Sequence, residues 1–365
     1  MGVAQRSRRW LVPVTAVAVV AGVGMLGPVV ADASPKLPGT TAQDLLAKVQ
    51  TAKVDGLSGT VRSDTDLGLP ALPGVQGGNQ LTELLSGEHT ARVAFASPDK
   101  ARVSVLDHMA ERVWTTDGKS AWAYDSARRE AVKLTVPAHS TTPKAAPESY
   151  DPQAVAKQFL DAIDPTTKVE VSGTEKVAGR DAYKLRLVPK TDKTTVGSVT
   201  LAIDSKTWVP LEVTVVPRTG KDPAVQLGFS SVSFDVPAAS TFTFTPPKGV
   251  KVTEKAPQTR EVPKKVTPPK AIGPKGTKPG TANSDRPTVI GQGWESVAMV
   301  RGVKTTGNGP LDQLLLKAPT VKGSWGTGKI LTSKMVSALI TDDGRVFIGL
   351  VTPDTLQAAA AKAPR

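Results

Sequence analysis

The chain has 365 residues, with 46 Lys and Arg against 33 Asp and Glu, no cysteine, 32 Gly and 30 Pro. This length accommodates two domains of about 150 residues each, and a hydrophobic share of 39% excludes a wholly disordered chain. Without cysteine, disulfides, thiolate zinc sites, iron–sulfur clusters and a lipid-bearing N-terminal cysteine are excluded. The high share of Gly and Pro is typical of a turn-rich β protein with a flexible segment.

Residues 1–33 contain the three parts of an export signal. Three arginines precede an apolar run from Trp10 to Val30, and the small-residue pattern Ala31-Asp32-Ala33 follows. We therefore expect an extracytoplasmic protein, either secreted or attached to the outer side of the cytoplasmic membrane. The run of 21 residues is also long enough for an uncleaved membrane anchor, although its glycines and proline favour cleavage. Arg8-Arg9 matches half of a twin-arginine signal, so the export route stays open.

Much of the positive charge lies in one Pro-rich stretch. Residues 248–278 contain nine Lys or Arg and two Glu, a net charge of +7. This composition predicts an extended basic linker over residues 248–287. Such a linker either lies on a membrane surface with anionic headgroups or is a soluble spacer kept extended by like charges. Because aromatic residues are not interleaved with the basic ones, we expect no nucleic-acid partner.

Residues 40–247 begin with a short helix and continue mainly as strands. Thr41 is a suitable N-cap for a helix over residues 42–52, and a second helix begins at Asp151-Pro152. Elsewhere the chain consists of segments in which apolar and polar residues alternate, as in half-buried strands. Turn signals such as Asp204-Ser205-Lys206 separate these segments. The predicted fold class is α+β, an antiparallel open half-barrel sheet of about ten strands with helices on its concave face.

The predicted sheet is wider than its helices can cover. Ten strands at about 4.8 Å spacing give a width of roughly 48 Å, whereas two helices cover about 20 Å. The rest of the concave face would form an apolar cavity suited to an acyl chain. The candidate cavity residues are Val103, Val105, Trp122, Tyr124, Leu134, Tyr183, Leu185, Leu187, Leu201, Ile203, Leu211 and Val213.

An apolar insertion rich in Gly and Pro separates the first two predicted strands, which favours a mobile lid over the cavity. The candidate lid residues are Leu67, Leu69, Leu72, Val75, Leu81, Leu84 and Leu85. An ordinary packed loop explains the same composition. Ordinary core packing is likewise an alternative for Trp122 and Tyr124.

Three stretches then suggest a family. They are residues 179–189 (GRDAYKLRLVP), 201–211 (LAIDSKTWVPL) and 242–250 (FTFTPPKGV). In this order they resemble LolA-like lipoprotein-carrier proteins and the related RseB/MucB regulatory proteins, over residues 40–252. The resemblance implies an open β-barrel, closed by helices, that binds lipid or a lipidated polypeptide. It also implies a cavity arginine that helps control lid closure, but the motifs assign that role to neither Arg102 nor Arg112.

Residues 288–365 regain apolar periodicity and predict a small α+β unit. Asp342-Asp343-Gly344-Arg345 is a strong hairpin turn, and an Ala-rich helix closes the chain over residues 353–362. The sequence does not decide whether this unit packs on the half-barrel or binds a partner.

No catalytic constellation stands out. Residues 323–330 nearly match a P-loop, but Ile330 has the place of the hydroxyl residue that binds magnesium. The three histidines, His89, His108 and His139, lack metal-binding spacing, and a turn explains Asp342-Asp343 better than acid–base chemistry does. We expect a protein that is not an enzyme and has no cofactor and no metal.

The leading hypothesis is an extracytoplasmic carrier that holds the acyl chain of a lipid or lipidated protein in the half-barrel. The alternative is an RseB-like regulatory sensor that binds a membrane anti-sigma factor. The sequence identifies neither the ligand nor the oligomeric state.

Overall fold

The computed structural model of the protein describes residues 34–68, 86–107, 110–136, 165–255, 288–301 and 315–363. The predicted export signal, the predicted second helix and most of the predicted lid and linker lie outside these ranges. Within them the chain forms two β-sheets, together with the helices α1 (Ala42–Thr51) and α2 (Pro353–Lys362). In this described part, no helix has the length and apolar character needed to cross a membrane.

The larger sheet has twelve strands. They are β1 (Gly56–Asp66), β2 (Ser86–Ala96), β3 (Lys100–Asp107), β4 (Ala110–Thr116), β5 (Ser120–Asp125), β6 (Glu130–Thr135), β7 (Thr167–Val177), β8 (Arg180–Pro189), β9 (Val196–Asp204), β10 (Pro210–Pro217), β11 (Val225–Ser233) and β12 (Lys251–Lys255). Their order is β12-β6-β5-β4-β3-β2-β1-β11-β10-β9-β8-β7, so the sheet is open, with β12 and β7 at its edges.

This architecture agrees with the predicted open α+β sheet in outline and differs in two details. The sheet has twelve strands where about ten were expected, and it is mixed because β12 pairs with β6 in the parallel direction. β12 consists of residues that the charge pattern placed in the basic linker. A strand in parallel pairing is not joined to its neighbour by a hairpin, so the sequence contains no turn motif that would predict it.

The predicted first helix and the predicted turn after β9 are confirmed. Thr41 caps α1 by accepting a hydrogen bond from the backbone N–H of Asp44 (3.1 Å). In the turn after β9, the carboxylate of Asp204 is 1% exposed and accepts bonds from Nε of Arg180 (2.5 Å) and from the backbone N–H of Thr207 (2.6 Å). The side-chain carboxylate thus replaces the missing backbone partners of the turn.

Asp204 is held in its charged form. Burial raises the pKa of Asp204, but hydrogen bonds from Arg180, Thr207 and the backbone of Lys206 outweigh burial and leave the pKa below its ordinary value. A carboxyl whose pKa is lower in the folded than in the unfolded state stabilises the fold above about pH 4. That contribution is lost as the pH falls through the depressed pKa.

We predict that Asp204→Asn lowers the free energy of unfolding at pH 7 by about 2 kcal/mol, because it leaves Arg180 without its charged partner. Asp181→Asn is the matched control, since Asp181, in its pair with Lys176 (2.8 Å), has a side chain that is 38% exposed, whereas Asp204 is 1% exposed. Its loss should stay below about 1 kcal/mol. Urea unfolding between pH 3 and pH 7 measures both. Equal losses for the two variants, or an unchanged acid limb in Asp204→Asn, would contradict the prediction.

The smaller sheet, the C-terminal sheet, has six strands and is covered on one face by α2. Its strands are β13 (Thr288–Ile290), β14 (Val297–Val300), β15 (Thr320–Gly323), β16 (Gly326–Thr332), β17 (Ser337–Thr341) and β18 (Val346–Gly349), in the order β13-β14-β18-β17-β16-β15. Leu339 and Phe347 pack under Leu356 of α2, and all three are fully buried. The predicted hairpin turn at residues 342–345 and the predicted closing helix are confirmed.

The C-terminal sheet packs on the loop that joins β8 to β9, which is one of the two alternatives that the sequence left open. Thr194 forms an isolated antiparallel bridge with Val351. The hydroxyl of Thr195 donates to the backbone oxygen of Met335 (2.5 Å), whose side chain is buried with Val196. Apolar packing and backbone hydrogen bonds together join the two sheets.

Candidate functional site

One face of the large sheet is apolar across most of its width. We call it the α1 face, since α1 packs on it. Directly paired residues of neighbouring antiparallel strands point to the same side of a sheet. The pairings Leu185–Leu201 and Leu201–Val213 follow this face from β8 to β10, and Val105–Ala91 belongs to it at β3 and β2.

The β7–β9 end of the α1 face is filled by the protein itself. Leu45 of α1 is fully buried against Tyr183, Leu185 and Ile203. Leu187 and Leu201 pack at the margin of the same cluster. These five candidate cavity residues therefore form a core with α1 in this conformation.

The same end is also fixed by polar and aromatic contacts. The hydroxyl of Tyr183 donates to the backbone oxygen of Pro38 (3.0 Å), and its ring stacks on Trp208 with centroids 6.0 Å apart. Nζ of Lys48 lies 4.0 Å from the centre of the Trp208 ring. These contacts hold the N-terminal residues before α1 across the sheet.

The β4–β6 end of the α1 face is more accessible. Trp114 pairs with Val103 and Leu134 pairs with Ala121, which places both side chains on this face. Each of the two is 41% exposed, although large apolar side chains are usually buried. The described apolar contacts of α1 end at β9 and its following turn, so they do not reach Trp114 or Leu134.

Between these two ends the face is buried. Val105 is fully buried and the neighbouring Ala91 is 1% exposed. Val103 is half-buried, as is Val213 further along the sheet. Among the described residues assigned to this face, Trp114 and Leu134 thus expose the largest apolar side chains.

Two other candidate cavity residues, Trp122 and Tyr124, lie on the opposite face. Successive residues of a strand alternate between faces, and in β5 it is Ala121 and Ala123 that point to the α1 face. The rings of Trp122 and Tyr124 lie 5.5 and 5.3 Å from the ring of Phe244, which belongs to the segment between β11 and β12. The third family-like stretch, residues 242–250, therefore covers this side of the sheet.

Leu211 is separated from the other candidates by a register shift. The pairing of β10 with β9 is irregular between Pro210 and Glu212, and such a bulge breaks the alternation of side chains. Leu211 is buried with Val177, Ala182 and Ala202. The sequence pattern assumed strict alternation and could not reveal the extra residue.

The base of the predicted lid contacts the C-terminal sheet. Leu67 packs beside Met335, and Asp66 forms an ion pair with Lys334. The remaining lid candidates lie between residues 69 and 85, outside the described residues. A contact across 268 residues leaves no local pattern, so no sequence signal pointed to it.

The structure separates the two arginines that the family resemblance left undecided. Nη1 of Arg102 donates to the backbone oxygen of Thr241 (3.2 Å), on the side opposite to α1. Arg112 pairs with Val105, points to the α1 face and is 7% exposed. Arg112 is therefore the arginine that lies on the apolar face beside Trp114.

A small cavity lies where the two sheets meet. Its volume is about 220 Å³, and its lining residues are Pro165, Thr166, Lys190, Thr191, Gln292, Trp294 and Glu295. The carboxylate of Glu295 accepts a bond from the hydroxyl of Thr191 (2.9 Å), and the indole N–H of Trp294 donates to the hydroxyl of Thr167 (2.7 Å). Ligand sites commonly measure about 300–1,000 Å³ and are mainly apolar, so this cavity is a poor match for an acyl chain.

The described residues contain no group of three or more His, Asp or Glu side chains that could hold a metal ion. Asp343 of the predicted turn accepts hydrogen bonds from Arg345, which lower the pKa of Asp343 to about 2. A carboxyl with such a low pKa does not act as a general base near neutral pH. Its role here is to close the turn between β17 and β18.

No protein-family model and no curated protein matches this chain. Solved structures with a similar fold include MucB in the MucA/MucB complex of Pseudomonas aeruginosa, with 16% identity over 87% of this chain and 96% of that one and a TM-score of 0.38. A LolA superfamily protein of Nitrosomonas europaea shows 14% identity over 56% and 99% of the two chains, with a TM-score of 0.21. A lipoprotein-sorting protein domain of Vibrio parahaemolyticus shows 11% identity over 52% and 91%, also with a TM-score of 0.21.

The matched structures thus include both groups that the sequence motifs resemble, LolA-like and RseB/MucB proteins. Identities this low bear on the fold alone. With every TM-score below 0.5, the likeness says nothing about the ligand or the activity of this chain.

We predict that Leu45→Ala lowers the free energy of unfolding by about 3 kcal/mol, since it leaves a cavity among Tyr183, Leu185 and Ile203. Leu46→Ala is the control, because Leu46 lies at the edge of the same cluster and is half-buried. It should cost about 1 kcal/mol by its smaller loss of buried surface. Chemical unfolding measures both, and equal losses would show that α1 is not anchored through Leu45.

Proposed function

We propose that this chain is an extracytoplasmic binding protein that takes up the acyl chain of a lipid or lipidated protein on the α1 face of its large sheet. The observation that supports this most directly is the uneven cover of that face. α1 fills the end at β7–β9, whereas Trp114 and Leu134 expose large apolar side chains at the other end.

Burial of these side chains supplies the driving force. Each methylene moved from water into an apolar site contributes about 0.8 kcal/mol, and a tryptophan ring offers a wide surface for it. The affinity then grows with the number of methylenes that are buried and depends little on the headgroup. The proposal is therefore a binding and carrying role, not a catalytic one.

Arg112 gives the proposed site one charge. It lies on the same face as Trp114, two residues along β4, and is almost fully buried. Buried arginines are held by partners, so this position fixes a positive charge close to the apolar surface.

The proposed location rests on the sequence. The basic residues, apolar run and Ala31-Asp32-Ala33 pattern at the N-terminus predict export. A binding protein for acyl chains works where lipids and lipidated proteins leave or enter a membrane. The extracytoplasmic location and the proposed ligand class are therefore consistent.

A second candidate function is a regulatory sensor that binds a membrane protein, as the RseB/MucB resemblance implies. The observation in its favour is the attachment of the C-terminal sheet to the β8–β9 loop through Thr194, Thr195 and Met335. Two joined sheets offer a partner a surface larger than either alone. In this case ligand uptake at Trp114 would modulate the contact with the partner.

We predict that Trp114→Asp and Leu134→Asp each reduce acyl-ligand binding about tenfold, because each removes roughly 1.5 kcal/mol of apolar contact and places a charge in the path of the ligand. Native mass spectrometry of the exported protein measures the co-purifying ligand. These positions are exposed, so both variants should fold. Leu185→Asp is a poorer test, since Leu185 is 1% exposed under α1 and a charge there would unfold the cluster.

Val236→Asp is the matched control, since Val236 is 60% exposed and belongs to no described apolar cluster of the α1 face. It should keep the ligand at the level of the unchanged protein. The carrier proposal fails if no lipid mass accompanies the exported protein. A membrane protein that crosslinks in stoichiometric amount, with no lipid mass, favours the sensor.

A further inference from the structure

The C-terminal sheet has a second apolar face. Residues next to those buried under α2 point to the other side, which we call the outer face. Its strand positions are Val289, Ala298, Val300, Thr320, Lys322, Thr327, Lys329, Leu331, Ala338, Ile340, Val346 and Ile348. Eight of these twelve residues are apolar, whereas the solvated face of an antiparallel sheet is normally polar.

The apolar residues of the outer face form a continuous row. Val289 pairs with Ala298, Ala298 with Ile348, Ile348 with Ala338 and Ala338 with Leu331, so the row crosses five strands. Val289 is 65% exposed and Ile348 is 43% exposed. The accessible part of the row is therefore its β13–β14–β18 side. A contiguous apolar surface of this kind indicates an interaction site.

The charges of the outer face have one sign. Among its described strand positions the charged residues are Lys322 and Lys329, and none is a carboxylate. Two acidic groups of the same unit are engaged elsewhere, Glu295 with Lys193 (3.3 Å) and Asp343 with Arg345 (2.7 Å). The outer face thus combines aliphatic side chains with positive charge.

This combination distinguishes between two kinds of occupant. A symmetric pair of chains would bury two copies of Lys322 and Lys329 in one interface, and the described strand positions of this face offer no carboxylate to pair with them. An anionic bilayer surface offers apolar material at shallow depth and negative headgroups above it. Lys322 is exposed, and a lysine keeps its aliphatic stem on apolar surface while its ammonium group reaches the headgroups. The ammonium group of Lys329 donates to the backbone oxygen of Ala318 (3.2 Å), so Lys322 is the lysine that meets the headgroups.

We propose that the outer face of the C-terminal sheet docks on a bilayer surface that contains anionic phospholipids. The docking surface uses different residues from the acyl-chain site and lies on the other sheet. The proposal therefore stands whether or not the large sheet carries a lipid.

Co-sedimentation with vesicles tests the docking. The chain from residue 34 onwards, which keeps every described residue, is mixed with vesicles of phosphatidylcholine alone or with phosphatidylglycerol added. We expect binding to the anionic vesicles, about tenfold weaker binding by the double variant Val289→Asp/Ile348→Asp, and weaker binding at high salt. The control is Val236→Asp/Val252→Asp, because these residues have matching exposures of 60% and 43%. It should bind like the unchanged protein.

If Val289→Asp/Ile348→Asp lowers the midpoint of thermal unfolding more than its control does, weaker binding could reflect lost stability, and a second variant is needed. Lys322→Glu leaves the apolar row intact and should still weaken binding to anionic vesicles several-fold. Full binding by Lys322→Glu overturns the proposal, as does equal binding by the two double variants or equal binding to both kinds of vesicle.

Two measurements separate this docking from other events. Light scattering without lipid should give a monomer, and a dimer that Val289→Asp/Ile348→Asp dissociates would assign the outer face to a second copy instead. Native mass spectrometry should find the same acyl-ligand load in Val289→Asp/Ile348→Asp as in the unchanged protein. A lost load in that variant would mean that vesicle binding reports the acyl-chain site, which would also overturn the proposal.

Discussion

The structure depends on one constraint, the need of a wide apolar sheet face for cover. Twelve strands at about 4.8 Å spacing form a sheet far wider than a helix of about 10 Å diameter. α1 has ten residues and buries its apolar side on β7–β9. The segment between β11 and β12 covers part of the opposite face through Phe242 and Phe244. In the described part of the chain, cover at one end and exposure at the other follow from this shortage of helix.

The same shortage links fold and function. Were the whole α1 face closed by well-packed side chains, the sheet would be an ordinary core. The exposure of Trp114 and Leu134 concentrates the apolar surface at a place that a flexible ligand can reach. Val105 is fully buried, so under the proposed function a ligand that goes deeper must displace what covers it. A carrier needs both properties, because it must take up its ligand and release it again.

Sequence patterns predicted the local features of this fold well. The cap at Thr41, the carboxylate turn at Asp204 and the closing helix α2 all follow from short-range rules, in which neighbouring residues satisfy the backbone. Alternation also placed Leu185 and Leu201 on one face. These features need no knowledge of distant parts of the chain.

The features that sequence patterns missed depend on long-range pairing. Trp122 and Tyr124 share a face with each other, but only the register with β4 shows that it is the face opposite to α1. The bulge beside Leu211 needs one extra residue against β9, which composition does not reveal. The parallel pairing of β12 and the ion pair of Asp66 with Lys334 join residues more than a hundred positions apart. For the candidate site, the sequence therefore predicted apolar residues but not their grouping.

The place of β12 has a consequence for the C-terminal sheet. β12 lies at one edge of the large sheet, beside β6, whereas the C-terminal sheet is attached near the other edge, at the β8–β9 loop. The sequence has 32 residues between Lys255 and Thr288, and a Pro-rich stretch of that length, at up to about 3 Å per residue, is long enough to span that width. If the contact at Thr194 and Val351 opens, the tether keeps the two surfaces at an effective concentration on the order of millimolar. Detachment is then a reversible intramolecular step. A weak partner can compete for either surface, and the two parts of the protein stay covalently connected while it does so.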